Sequence, residues 1–225
     1  MTTNDPTNAP DTTPDTAHHP SHVWFLLDRS GSMASLFQDV ILGLQEFIRE
    51  QRLADPSARL TLVQFDSEDP HEVIIDGSPL AEIDEAHAVQ QFDPRAATPL
   101  YDAIAALIGR ADKHLANAGE DSDQLVVIFT DGLENASTDC NRTKAFGLIK
   151  ERRERGWTFA FLGANQDAFA AGEAISIARG SARPWAATSA GTRGAMSGLS
   201  AKTSEHLRAS RVERRDKRDK FFEDE

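Results

Sequence analysis

The sequence predicts an α/β domain: a doubly wound, mainly parallel central sheet with one antiparallel edge strand and helices on both faces. Three observations lead there. Apolar runs occur at Val23–Leu27, Leu125–Phe129 and Trp157–Leu162, as expected for strands buried on both faces. Stretches with apolar residues at helical spacing separate them. Two of the runs empty into small oxygen-bearing residues and a glycine, Asp28-Arg29-Ser30-Gly31-Ser32 and Thr130-Asp131-Gly132, the composition of tight loops.

Taken in order, residues 1–20 are Thr, Pro, Asp and Asn with almost no apolar content, and are expected to form a disordered tail. His18, His19 and His22 are read as surface histidines of that tail, since no rigid scaffold fixes them as a metal site. A first helix is expected from Leu36 to about Leu53, ending before Asp55-Pro56. Leu60–Asp66 and His71–Asp76 read as two strands, and the short turn holding Pro70 suggests an antiparallel pair at the sheet edge. Asp66 and Asp76 are read as turn residues closing that pair. Gly77 to Asp93 carries only short elements. A second helix opens at Thr98-Pro99-Leu100-Tyr101-Asp102, with Ile104, Leu107, Ile108, Ala111 and Leu115 as its buried stripe, and Asp102 braces its start. A third helix spans Thr143 to Arg155, a small-residue helix Ala168 to Ala178, and a short last strand Ala182 to Ala186.

The domain is bounded at residues 21–186. Residues 187–225 are read as an extension, with Thr188 to Leu207 a weak helix packing back and Arg208 to Lys220 a solvated helix or frayed tail of mixed charge. The final Phe221-Phe222-Glu223-Asp224-Glu225 sets carboxylates beside apolar anchors. Such a tail has the right chemistry to insert an acid into a site of its own or of a neighbouring molecule.

At 225 residues and 24.6 kDa the chain suits one α/β domain with tails. Its formal net charge of -12 argues against general affinity for nucleic acid or an anionic membrane. Cys140 is the only cysteine, so it forms no internal disulfide, which is compatible with a cytoplasmic protein. No secretion signal is read at the N-terminus, and no apolar run approaches the roughly 18 residues needed to span a bilayer.

In an α/β sheet, ligands bind beyond the carboxyl ends of the strands. Asp28, Ser30 and Ser32 can point at one spot if the chain turns at Gly31, and they are hard oxygen ligands suited to Mg²⁺, Mn²⁺ or Ca²⁺. Three ligands do not fill an octahedron. Thr98, in the loop before the second helix, and Asp131, at the end of the next strand, are placed to supply the others.

The pattern Asp-x-Ser-x-Ser, then Thr98-Pro99-Leu100-Tyr101-Asp102-Ala103, then Thr130-Asp131-Gly132 resembles the von Willebrand factor A domain with its metal-ion-dependent adhesion site. The resemblance covers about Ser21 to Ala186 and is nearest to small single-domain bacterial versions, some linked to stress or tellurite resistance. It implies a Rossmann-like doubly wound sheet. It implies that Ser30, Ser32 and Thr98 offer hydroxyls directly to a divalent cation, Mg²⁺ above Mn²⁺ or Ca²⁺, and that Asp28 and Asp131 contribute charge through bound water. The ion then keeps an open position that grips an Asp or Glu of a protein partner. Arg29, Gly31, Met33, Gly132, Glu134 and Asn135 would support or rim the site, with Arg29 a solvated rim residue. Where small bacterial members often have glycines before the threonine, this chain has Arg95-Ala96-Ala97, and alanine restricts the loop more than glycine.

The leading reading is a non-enzymatic, metal-dependent binding module, because hydroxyls and carboxylates gather there without a histidine or lysine placed as a general base. A metal-dependent phosphoester hydrolase is the alternative, although no glycine-rich phosphate loop accompanies the aspartates. A structural or assembly role through the tails is the third.

Overall fold

A computed structural model describes residues 20–118, 122–164 and 167–223. Six strands form one sheet: β1 (Ser21–Asp28), β2 (Arg59–Phe65), β3 (Glu72–Pro79), β4 (Asp123–Thr130), β5 (Thr158–Ala164) and β6 (Ala182–Trp185). Their order is β3-β2-β1-β4-β5-β6. Every neighbouring pair is parallel except β2 with β3, so the antiparallel edge expected from Pro70 is present. The chain leaves β1 towards β2 and β3, then returns to lay β4 on the other side of β1. That reversal makes the carboxyl ends of β1 and β4 the switch point at which α/β sheets bind ligands.

The helices are α1 (Phe37–Ala54), α2 (Glu85–Ala88), α3 (Leu100–Ala118), α4 (Arg142–Glu154), α5 (Ala168–Glu173), α6 (Ser189–Arg208) and α7 (Arg211–Lys217). Val23, Phe25 and Leu27 of β1 join one core with Val40, Leu44, Phe47 and Met196. Trp24 and Leu26, one residue out of phase, join the other with Ile104, Leu107 and Ile149. The period of two along a strand divides a single apolar run between two cores.

The C-terminal extension contains the helix expected to pack back on the domain, and departs from its sequence reading only beyond it. Helix α6 lies against α1 closely enough that a Cβ on Gly43 would come within 2.6 Å of Met196 Cγ. Gln51 of α1 donates to Ser200 Oγ at 2.8 Å and accepts from Ser204 Oγ at 3.1 Å. Beyond it, α7 is a helix with most of its residues exposed, as read, but one arginine anchors it to the domain. Arg214 is buried, pairs with Asp123 at 3.0 Å and donates to two carbonyls at the end of α6. Mixed charge in the sequence concealed an arginine whose guanidinium finds a carboxylate and helix-end carbonyls at once. Phe221 is also buried, and Phe222 N–H bonds the Gly180 carbonyl just before β6.

His22 is corrected as well: it is a β1 residue, 1 % exposed. Its ring stacks on Trp24 at 3.9 Å and shares a 2.9 Å hydrogen bond with Thr61. His18 and His19 lie outside the described residues. Asp76 sits within β3 and pairs with Arg110 at 2.9 Å, not in a turn.

Candidate metal centre

Strand β1 ends at Asp28, whose carboxylate is fully buried. The chain turns at once, because Asp28 Oδ1 accepts the Ser30 N–H at 2.7 Å, and a 3₁₀ turn over Gly31–Leu36 leads into α1. On the neighbouring strand, Thr130 Oγ1 donates to Asp28 Oδ2 at 2.5 Å. The two hydroxyls of the first loop lie 3.2 Å apart, and Ser32 Oγ donates to Asp131 Oδ1 at 2.7 Å. Four predicted site residues, Asp28, Ser30, Ser32 and Asp131, thus share one linked cluster.

Thr98 arrives from the third loop. A Cβ built on Gly132 would come within 3.0 Å of Thr98 Oγ1 and 3.8 Å of Asp28 Oδ2, so glycine there leaves room for both oxygens. Glycine is not needed at Ala96: that residue adopts φ +56, the left-handed conformation its methyl group disfavours. The surroundings hold it there. Gly31 N–H bonds the Ala96 carbonyl at 3.1 Å, and Ser67 brackets Ala97, its N–H on the carbonyl and its hydroxyl accepting the amide.

Asn135 and Glu134 brace this arrangement from the far side. Thr98 N–H donates to Asn135 Oδ1 at 2.9 Å while Asn135 N–H returns to the Thr98 carbonyl at 3.1 Å. Glu134 accepts the Tyr101, Ala136 and Ser137 amides, tying the β4 loop to the start of α3. Asp102 accepts the amides of Thr138, Asp139 and Cys140, so it braces that facing loop and not the start of its own helix.

Two of the predicted rim residues are elsewhere. Met33 is fully buried, in the core that also holds Val40, Leu44 and Phe92. Arg29 is 2 % exposed and not a solvated rim residue. Its guanidinium turns under the site to Asp66, with Nε at 2.8 Å and Nη2 at 2.6 Å, and also meets Glu72. The alternation of side chains about the loop turns Arg29 inward, and two acids compensate the buried charge. Thr130 and Asp66 are the residues that sequence reasoning missed. Thr130 was visible inside the Thr-Asp-Gly triplet; Asp66 had the signature of a turn former, and its Oδ1 does accept the Glu68 and Asp69 amides.

The electrostatics follow from burial. Burial pushes the Asp28 carboxyl up to about 6, against the hydrogen bonds from Thr130 and Ser30, and neighbouring Asp131 pushes the same way. Burial also raises Asp131, against the Ser32 hydroxyl. Burial would raise Asp66 too, but the Asp69 and Glu68 amides and Arg29 hold it below the usual carboxylate range. Burial thus disfavours the charged form of Asp28 and Asp131, whereas Arg29 and two amides favour it at Asp66. Among the described residues no three His, Cys, Asp or Glu side chains come together to hold a metal, so an ion here would draw on hydroxyls. Two desolvated carboxylates, three hydroxyls and a glycine cradle fit a hard divalent cation.

The sequence matches the von Willebrand factor type A domain over residues 22–185. The chain belongs to that family. Solved structures agree on the fold of this von Willebrand factor type A domain. The pilus adhesin SpaC from Lactobacillus rhamnosus GG has a TM-score of 0.65 at 11 % identity over 84 % of this chain and 30 % of its own. A von Willebrand factor type A protein from Catenulispora acidiphila has 0.53 at 15 %, over 83 % and 43 %. Proximal thread matrix protein 1 from the mussel byssus, with a zinc-occupied metal-ion-dependent adhesion motif, has 0.55 at 16 %, over 80 % and 46 %. At such identities the likeness shows the fold, and the chain spans less than half the length of each of the three. No curated protein was found to match the chain.

Proposed function

We propose that the carboxyl ends of β1 and β4 hold a divalent cation, Mg²⁺ before Mn²⁺ or Ca²⁺, and that this ion grips an Asp or Glu of a protein partner. The observation that carries this is the hydrogen-bonded cluster of Asp28, Ser30, Ser32 and Asp131, two of them carboxylates whose charged form burial disfavours. Ser30, Ser32 and Thr98 would offer hydroxyls; Asp28 and Asp131 would supply charge, directly or through water. With neutral oxygens in the majority, the ion keeps enough positive charge to attract a carboxylate. Leu133, 60 % exposed on the same loop as Gly132, gives the partner an apolar contact beside it. The zinc-bearing mussel protein and the bacterial pilus adhesin are family precedents for a metal in this motif and for an adhesive role.

A binding role is favoured over hydrolysis because the histidines nearest in chemistry are engaged elsewhere: His22 with Trp24 and Thr61, His71 with Arg110, His206 under Phe221. Titration calorimetry with Mg²⁺ and Mn²⁺, followed by capture of partners in Mg²⁺ against chelator, tests the proposal. Asp28→Ala is the control. Absence of ion binding at millimolar concentration would sink it, and metal-dependent phosphoesterase turnover lost in Asp131→Ala would replace it with the hydrolase reading.

A further inference from the structure

One buried carboxylate outside the cluster contacts two of the loops that build it. Asp66, fully buried at the end of β2, uses Oδ2 to hold Arg29 Nε at 2.8 Å and Arg95 Nε at 3.1 Å. Arg29 lies between Asp28 and Ser30; Arg95 lies three residues before Thr98. The two loops also exchange backbone bonds, Arg95 N–H to the Arg29 carbonyl at 2.9 Å and Gly31 N–H to the Ala96 carbonyl at 3.1 Å. With Oδ1, Asp66 accepts the Glu68 and Asp69 amides and so shapes the turn in which Ser67 brackets Ala97. Ala96, held at φ +56 in the middle of this lattice, shows that the segment is over-determined by its surroundings.

We propose that Asp66 is a positioning residue for the metal centre: its carboxylate locks the Ser30 loop and the Thr98 loop into one unit and thereby fixes the Thr98 hydroxyl beside Asp28. It also neutralises, with Glu72, the Arg29 guanidinium that would otherwise oppose a cation next to Asp28. The inference rests on the metal reading above, but its structural half can be measured without metal.

Asp66→Asn keeps the shape of the side chain and loses its charge. Arg95→Gln, at a residue 39 % exposed, removes one of the two guanidinium contacts without disturbing the core and serves if the first variant does not fold. Hydrogen exchange without added ion is expected to quicken by about tenfold or more at the Gly31, Ser67, Arg95 and Ala97 amides, while Phe25 and Val127 in the central strands keep their rates. Calorimetry with Mn²⁺ is expected to show Kd rising by roughly tenfold or more in Asp66→Asn, and less in Arg95→Gln. Unchanged loop amides would overturn the inference, as would acceleration that reached Phe25 and Val127 equally, the mark of a merely weakened fold. Loosened loops with unchanged Mn²⁺ affinity would overturn it too. If the wild type bound no Mn²⁺, the metal reading would fall by itself, and the exchange rates would still decide whether Asp66 holds the loops.

Discussion

Ser32 Oγ donates a 2.7 Å hydrogen bond to Asp131 Oδ1 across 99 positions of sequence. The bond joins the loop after β1 to the loop after β4, and it spans the point where strand order reverses. Everything that follows from the site depends on that closure.

The charged form of Asp28 and of Asp131 is penalised by desolvation. Asp28→Asn is therefore expected to leave the ion-free protein at about pH 8 as stable as wild type, or more so. A saturating divalent ion should stabilise wild type by about 2.7 kcal/mol at a hundredfold excess over Kd. Urea unfolding with and without Mg²⁺ checks both, and the variant should show little of the ion-dependent increment.

Thr130 Oγ1 donates a hydrogen bond to Asp28 Oδ2 and accepts the Gly132 N–H at 3.1 Å. Thr130→Val keeps the shape and removes the hydroxyl from both contacts. The expected loss of stability is about 1–3 kcal/mol, read from the denaturation midpoint at unchanged slope.

His22 and His206 are buried neutral. Burial lowers each to about 3, assisted by His114 and Arg59 for the first and by Arg214 for the second. In the unfolded chain each titrates near 6.5. Below about pH 6.5 the unfolded state binds the extra proton, so stability is full above that value and drains away as pH falls towards 3. Unfolding free energy should drop by up to about 1.4 kcal/mol per pH unit for each histidine over this window. Replacing His206 with Gln should remove its share of the slope.

Phe221 is 6 % exposed, its ring 6.0 Å from His206, and the segment is fastened to Gly180 and Ser181 at the amino end of β6. That is the end of the parallel sheet opposite the metal centre, so the described part of the tail does not reach its own site; Asp224 and Glu225 lie outside the described residues. Truncation after Lys220 is expected to cost about 3–5 kcal/mol, as for loss of a buried phenylalanine, with Mg²⁺ affinity unchanged. Melting curves and calorimetry on the truncated chain distinguish this anchoring role from self-association through the tail, which would change the oligomeric state.

The sequence by itself determined the α/β architecture, because continuous apolar runs such as Val23–Leu27 can only be buried on two faces and helical stripes such as Ile104, Leu107 and Ile108 supply the cover. It determined the site candidates too, since residue type and order are local properties of the three loops. Tertiary structure decided which of these meet and what stands behind them. It buried Met33, turned Arg29 from the rim to Asp66, made Asp66 a junction where the sequence showed a turn, and seated Arg214 on Asp123. Each of those outcomes depends on the direction of a side chain relative to a partner distant in sequence, and that direction is set only when the strands fix their register.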